Sequence, residues 1–338
     1  MKAVVCESWR PFNELEIKDI DSPKLVSDYD VLIQIIYNGV GWATTLTVEG
    51  KYQRKPPLPF TPGTDVSGIV VEVGSKVTHA KVGDRVCAVL DYGGYAEQVV
   101  VHERHVFKLP NDLSLAQSVA LPTSYMTAYG AFFWRGKLTP GMSVLIHGAA
   151  GGVGLAAVDI ALSLGCTVYA VVRGDDKVSF LKSRGCKHVI DSSKESFKEV
   201  MKELTGGAGV NLVIDPIGGD VLDDSLRCLA DDGKHIVIGF VQGTISQIPA
   251  NILLLKNISV SGFYLGQYMG WGVIDERVRY APVFREGMTK LISWMQEGRI
   301  DPVICEKFAF EDYKEAMKMV LGRKSIGRVV LQIGDEPA

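Results

Sequence analysis

Three observations predict an α/β chain with one doubly wound parallel sheet and a separate β-rich region. The stretch VLIHGAAGGVGLAAVDIALSLG (144–165) sets a glycine-dense turn between a short apolar strand and a run whose apolar residues recur at helical spacing. Short β-branched segments follow it as far as residue 263, with helical segments between most of them. Before it, residues 1 to 110 read almost wholly as strands punctuated by Gly and Pro.

The β-rich region comes first. VLIQIIY (31–37), VSGIVVEVG (66–74), RVCAVL (85–90), YAEQVVV (95–101) and HVFKLP (105–110) are its strands, and together they predict a twisted, partly closed β-domain. KYQRKPPLPFTPG (51–63) is too proline-rich for a helix or a central strand and reads as an ordered loop. Helical patterning returns over 114–133, where Pro122 breaks the run and marks a crossing between domains.

The glycine turn is the centre of the second region. Gly148, Gly151 and Gly154 stand three apart, with Ala149, Ala150, Gly152 and Val153 between them. Glycine lets the backbone take positive φ and approach a pyrophosphate, whose charge then sits on the unpaired N–H groups of a helix start. The geometry matches the dinucleotide fingerprint although the letters are not G-x-G-x-x-G. TVYAVV (167–172), HVI (188–190), NLVI (211–214), KHIVIGF (234–240) and ISVSGF (258–263) supply further strands, and 175–184, 194–204 and 220–230 the helices. This is a Rossmann domain of about six strands, with ligand at their carboxyl ends.

An aromatic segment with Tyr264, Tyr268, Trp271 and Tyr280 follows, then a helix over 285–298, a helix starting near Glu311 and a last strand, GRVVLQI (327–333). That strand has no partner in the Rossmann order, so the tail is expected to return to the first domain and complete its sheet. The expected division is 1–122, 123–265 and 266–338.

Bulk properties exclude several classes. The 338 residues, 47% of them apolar, suit two domains of roughly 100–200 residues each. A net charge of −3 gives no electrostatic footprint for nucleic acid. Six cysteines without a C-x-x-C suggest neither a zinc cluster nor a disulfide framework, and read as reduced thiols of a cytoplasmic protein. The segment MKAVVCESW lacks a signal peptide's apolar core, and no apolar span is long enough to cross a bilayer.

In this order the features resemble the medium-chain dehydrogenase/reductase superfamily, and its zinc-free quinone oxidoreductase (zeta-crystallin-like) branch in particular. The carriers are GKYQRKPPLPFTPGTDVSGIVVEVG (50–74), VGDRV (82–86), GGYAEQVVV (93–101), ALPTSYMTAYGA (120–131), GAAGGVG (148–154), NILLLKNISVSGFYLG (251–266) and IGRVVL (326–331). The resemblance implies a GroES-like, partly closed β-barrel catalytic domain beside the Rossmann domain. It implies hydride transfer from NADPH to a quinone or an α,β-unsaturated carbonyl, and a homodimer joined through ISVSGF. Zinc-dependent relatives carry ligands where this chain has Gly41, Gly63 to Asp65, and the neighbourhood of Thr123; no thiol or imidazole stands at these positions. Hydride addition to an electron-poor acceptor needs no Lewis acid, so their loss points toward reduction. Other relatives reduce enoyl-thioesters of the acryloyl or crotonyl type, for which Arg54 and Lys55 are the one basic cluster near the pocket, and others are low-turnover, NADPH- or RNA-binding crystallins.

Charge after the second Rossmann strand decides the nucleotide. An NAD site usually carries Asp or Glu there, roughly 20 residues past the glycines. Here Arg173 follows the strand and Lys177 lies four residues on, both suited to a 2′-phosphate, so NADPH is expected. The alternative gives the ribose to Asp175. By resemblance, Arg323, Phe240, Val241 and Phe263 also line the cofactor, Thr127 meets the nicotinamide, and Tyr52 faces the acceptor. Two departures bear on the substrate: Gly41 stands at the family's asparagine, and Leu46 and Val48 replace its Tyr and Arg. Trp42 fills part of that space or is plain core. Tyr264, Tyr268 and Trp271 form either a stacking wall for a planar acceptor or ordinary packing.

Overall fold

The chain enters β1 (Lys2–Val5), which pairs antiparallel with β2 (Glu16–Asp19). A computed structural model describes residues 1–336, which fall into one unit of residues 1–126 with 266–336 and another of Thr127–Leu265. Each is taken by itself.

In the first unit, β3 (Asp30–Val40) is the organising strand. Its Val, Leu and Ile residues are buried along almost its whole length, because it is paired on both edges. β4 (Asp65–Val73) runs antiparallel along one edge. β5 (Arg85–Val89) and β7 (Val106–Lys108) extend the sheet beyond β4, whereas β6 (Gln98–His102) pairs with residues 30–34 of β3. Strand YAEQVVV thus pairs with β3 over its second half, while Ala96 in its first half bridges Ala3 of β1. Val31, Ile33, Ile35, Val66, Val70, Val86, Val99 and Val106 form one core.

The second unit is the doubly wound sheet. β8 (Ser143–His147), β9 (Thr167–Val172), β10 (His188–Asp191), β11 (Val210–Asp215), β12 (Leu229–Val237) and β13 (Ser259–Gly262) are all parallel, in the order β10-β9-β8-β11-β12-β13. The sequence reversal between β8 and β11 is the switch point at which such sheets bind ligands. Helices Gly152–Ser163, Asp175–Ser183, Phe197–Leu204 and Val221–Arg227 match the expected ones within a turn. β12 starts five residues earlier than its β-branched run, since Leu229 pairs with Val210 and the register then shifts before pairing resumes at Lys234 with Leu212.

Back in the first unit, β14 (Ile304–Ala309) and β15 (Arg328–Gln332) complete the seven-stranded sheet, in the order β14-β15-β3-β4-β5-β7 with β6 also on β3. β15 occupies residues 37–40 of β3, the part of that edge which β6 leaves open. Two helices differ from expectation. Residues 121–136 wind mostly as wide π-type turns around the α-helical stretch Met126–Tyr129, and Tyr125 N–H reaches back five residues to the Ala120 carbonyl. The helix read over 285–298 spans Arg277–Gln296 with Pro282 inside it. Its first turn survives the proline because Asp275 accepts from the Arg277 backbone N–H and Tyr280 packs on Tyr268, with ring centres 4.5 Å apart.

Two histidines are sealed in these cores. His105 in the first unit and His147 in the second are each pushed down to about 4, by burial first of all. Each stays neutral in the fold and takes a proton more readily when unfolded, so its contribution is intact above pH 6.5 and is lost as pH falls toward 4. The loss is up to roughly 3 kcal/mol per histidine. Urea midpoints should therefore drop between pH 7 and pH 5, and less so in His147→Gln; midpoints equal at both pH values would contradict the assignment.

Candidate functional site

The glycine turn is assembled by backbone contacts. Gly148 takes φ +57° directly after β8, and its carbonyl accepts from Gly151 N–H at 2.9 Å. Gly151 caps the helix Gly152–Ser163 in an extended conformation, so the N–H groups of Gly152, Val153 and Gly154 form the open first turn of a helix. Gly154 lies hard against the turn, since a Cβ there would stand 2.1 Å from the Gly148 oxygen. Gly151 has room, with that oxygen 3.4 Å from a would-be Cβ. Ala149 and Ala150 are buried beneath. A cradle of this kind fits a dinucleotide's pyrophosphate: it supplies donors and a helix dipole, with no side chain to keep the phosphate away.

Beyond β9 the backbone turns at Gly174, with φ +100°, into the helix Asp175–Ser183. Asp191, at the end of β10, accepts from Gly174 N–H at 3.2 Å and from Ser193, and these bonds hold its carboxyl below the ordinary range. Arg173 is exposed and Lys177 half-buried. Asp175, the rival for the ribose, is ion-paired with Lys194.

Loops at the carboxyl ends of β11 and β12 lie side by side. Val241 N–H and Gln242 N–H donate to the carbonyls of Pro216 and Ile217 at 3.2 and 2.9 Å. Asp215 Oδ1 accepts from Ile217 N–H and Gly218 N–H at 2.8 and 2.9 Å, while His235 Nε2 is 3.1 Å from Oδ2. Burial alone would raise the Asp215 carboxyl, but His235 and these N–H groups outweigh it and hold it low. Phe240 is 38% exposed on this scaffold, with Val241 half-buried beside it. His147 Nε2 lies 2.7 Å from Ser225 Oγ, which gives its own hydrogen to the Val221 carbonyl, so the histidine is the donor. Phe263 is buried, its ring 5.9 Å from that of Trp134.

The first unit holds most of the remaining candidates. Arg323 lies with its guanidinium 5.7 Å from the centre of the Trp42 ring, and so belongs to this unit while the glycine turn belongs to the other. Tyr52 is half-buried at the head of the proline-rich loop, its N–H bonded to the Leu46 carbonyl at 3.0 Å. Of the three aromatics, Tyr264 belongs to the second unit, Tyr268 is buried against Tyr280, and Trp271 donates its indole N–H to Asp91 at 2.7 Å. Thr127, half-buried, opens the second unit.

Two polar clusters escape a reading of the sequence. Asp65 is 2% exposed and accepts from Thr123 Oγ1 at 2.7 Å and from the Arg328 guanidinium, while Asn38 Nδ2 donates to its carbonyl at 3.0 Å. Burial raises the Asp65 carboxyl, and Arg328 chiefly opposes this. Asp65 and Thr123 fall where the resemblance places ligands in zinc-dependent relatives, and here the carboxylate's donors come from Arg328 and Thr123. Among the described residues no group of three or more His, Cys, Asp and Glu is placed to hold a metal ion. The second cluster gathers Arg54, Trp271 and Arg277 around Asp91. Its members lie up to 223 positions apart in the chain, so spacing gave no signal of either cluster's partners.

A parallel sheet with an open phosphate cradle, inserted into a β-rich unit that closes with the last strand, defines a nucleotide-dependent dehydrogenase or reductase. Family comparison agrees: residues 27–111 match the alcohol dehydrogenase GroES-like domain, and 152–279 match the domain described as zinc-binding dehydrogenase. The chain is 38% identical over 333 residues to quinone oxidoreductase-like protein 2 of Rattus norvegicus, covering 98% of this chain and 92% of the relative. It is 40% identical over 335 residues to the homolog of that protein from Nematostella vectensis, covering 98% and 88%. Among solved structures, Escherichia coli quinone oxidoreductase complexed with NADPH superposes with a TM-score of 0.86 at 26% identity, over 98% of this chain and all of that one. The chain belongs to the zinc-free quinone oxidoreductase branch of the medium-chain dehydrogenase/reductase family. No helix among the described residues is long and apolar enough to cross a membrane.

Proposed function

We propose that the protein reduces a quinone or an α,β-unsaturated carbonyl with NADPH, without a metal. The observation that carries the nucleotide preference is the pair of cations after β9, beside an Asp175 already engaged by Lys194. A carboxylate facing the ribose would repel a 2′-phosphate, whereas Arg173 can fork onto it and Lys177 adds a point charge. The complexed Escherichia coli relative supports the same choice. When bound, the cofactor supplies hydride from its nicotinamide. The chain's part is to seat the pyrophosphate on Gly151, Gly152, Val153 and Gly154 over Gly148 and Ala150, and to present Phe240 and Val241 from the loop that Asp215 and Pro216 brace. In this reading Thr127 offers one hydrogen bond to the nicotinamide, and Tyr52 binds the acceptor's carbonyl oxygen and donates the proton that follows hydride addition.

The enoyl-thioester alternative rests on Arg54 and Lys55 as phosphate binders. Arg54 is instead committed to Asp91 at 2.8 Å and to the face of Trp271, which favours a planar neutral acceptor. The test is NADPH oxidation with a planar ortho-quinone, repeated with NADH and a short enone. Turnover is expected with NADPH and quinone, and Arg173→Ser should cut kcat/KM for NADPH about tenfold while leaving NADH almost unchanged. An equal loss with both nucleotides would remove the 2′-phosphate role, and turnover of the enone alone would move the assignment to an alkenal reductase.

A further inference from the structure

Asp91 stands just past β5, and its carboxylate gathers donors from two distant segments of the first unit. Arg54, on the proline-rich loop, donates from Nη2 at 2.8 Å. Trp271 donates its indole N–H at 2.7 Å, and Arg277 donates from both Nη atoms at 3.3 Å. The Arg54 guanidinium also lies 5.4 Å from the centre of the Trp271 ring, so the two segments touch each other as well as the carboxylate. Arg277 is oriented further by Asp275, and Gln267 by Glu276 at 2.8 Å. A loop is thereby pinned at both its flanks, Trp271 and Arg277, to one anion. Between the pins Val273 and Ile274 point into solvent, 106% and 70% exposed.

We propose that Asp91 is a positioning residue for the acceptor: it clamps the proline-rich loop that carries Tyr52 to the aromatic segment that carries Trp271. This rests on the reading of Tyr52 as the residue facing the acceptor. Its physical basis is charge. Without the carboxylate, two guanidinium groups that converge on one point are left to repel each other. The Arg54 Nη1 atom is already buried with no hydrogen-bond partner among the described residues, so Arg54 would keep only the ring face of Trp271. The loop and the segment then drift apart, while the phosphate cradle, in the other unit, keeps every one of its own contacts.

Asp91→Asn keeps the shape and removes the charge; Asp91→Glu restores the charge. Hydrogen–deuterium exchange on the full chain without ligand should show residues 51–56 and 267–276 exchanging about tenfold faster in the asparagine variant. With saturating NADPH, KM for the quinone should rise about tenfold, with kcat within about twofold and the NADPH Kd unchanged. The glutamate variant should recover most of both effects. Trp271→Phe, which keeps the ring and removes one hydrogen bond, should raise KM about threefold, and it serves if the asparagine variant does not fold. Unchanged exchange in both segments overturns the clamp. Faster exchange with unchanged KM overturns its role toward the acceptor. If the unaltered enzyme reduces no quinone or enone, the acceptor reading falls and takes that role with it, while the exchange experiment still decides whether the clamp exists.

Discussion

Gly154→Ala is expected to lose NADPH binding by about a hundredfold or more. The added methyl would stand 2.1 Å from the Gly148 oxygen, 2.7 Å from its carbonyl carbon and 2.9 Å from the Ala149 Cα. All three are backbone atoms and cannot rotate away, so the turn must open and carry the N–H groups of residues 152–154 off their mark. The same strain should lower the melting temperature of the second unit. Gly151→Ala separates the two effects. Its φ of −81° suits any residue, and its nearest neighbour would be at ordinary contact distance, 3.4 Å. The fold should tolerate it and the melting temperature should stay put, yet its methyl would enter the surface proposed to seat the pyrophosphate. Fluorescence titration with NADPH checks both variants, and a Gly151→Ala protein that binds NADPH normally would show that the phosphate lies elsewhere.

The second large effect is expected in the first unit. Arg328→Met should destabilise it by about 3–5 kcal/mol, because Asp65 would lose its chief counter-charge in a nearly closed site and would have to stay charged unpaired or take up a proton there. The side chains of Arg328 and Asp65 are 12% and 3% exposed, and the guanidinium crosses directly over Gly39, where a Cβ would be 2.0 Å from Nη2. Arg328→Lys keeps the charge without the fork and should recover only part of the loss. Asp65→Leu combined with Arg328→Met removes both charges and should be more stable than Arg328→Met alone, since an unpaired buried charge costs more than an absent pair. Urea unfolding of the three proteins checks the order; a single variant as stable as the parent would mean that the pair contributes nothing to the fold.

The doubly wound sheet was legible because its signals are local. VLIHG, the three spaced glycines and the β-branched runs each state their structure within a few residues, and strand order follows from the handedness of parallel crossovers. The return of GRVVLQI to the first sheet was legible by exclusion, there being no place for it beside β13. What spacing could not reveal was polar and long-range. Asp65 and Arg328 are 263 positions apart, and Trp271 reaches Asp91 across 180. A charged residue in a sequence looks the same whether it is solvated or sealed against a partner. The helix expected over 285–298 starts eight residues earlier, at Arg277, and holds Pro282 inside it, because Asp275 accepts from the Arg277 N–H and Tyr280 packs on Tyr268. Among the aromatic candidates the fold chose packing for Tyr268 and a hydrogen bond for Trp271, a choice that composition does not contain.

The position of β15 has a consequence for how the chain is made. The second unit is continuous from residue 127 to 265, so all six of its strands have left the ribosome before β14 is translated. The first unit begins earlier and finishes later: residues 37–40 of β3 wait through the synthesis of nearly 290 further residues for the strand that covers them. Until then that stretch is an unpaired strand edge open to pairing with other chains, the kind of exposure that draws chaperones during synthesis. The order in which the units are closed is therefore the reverse of the order in which they are begun.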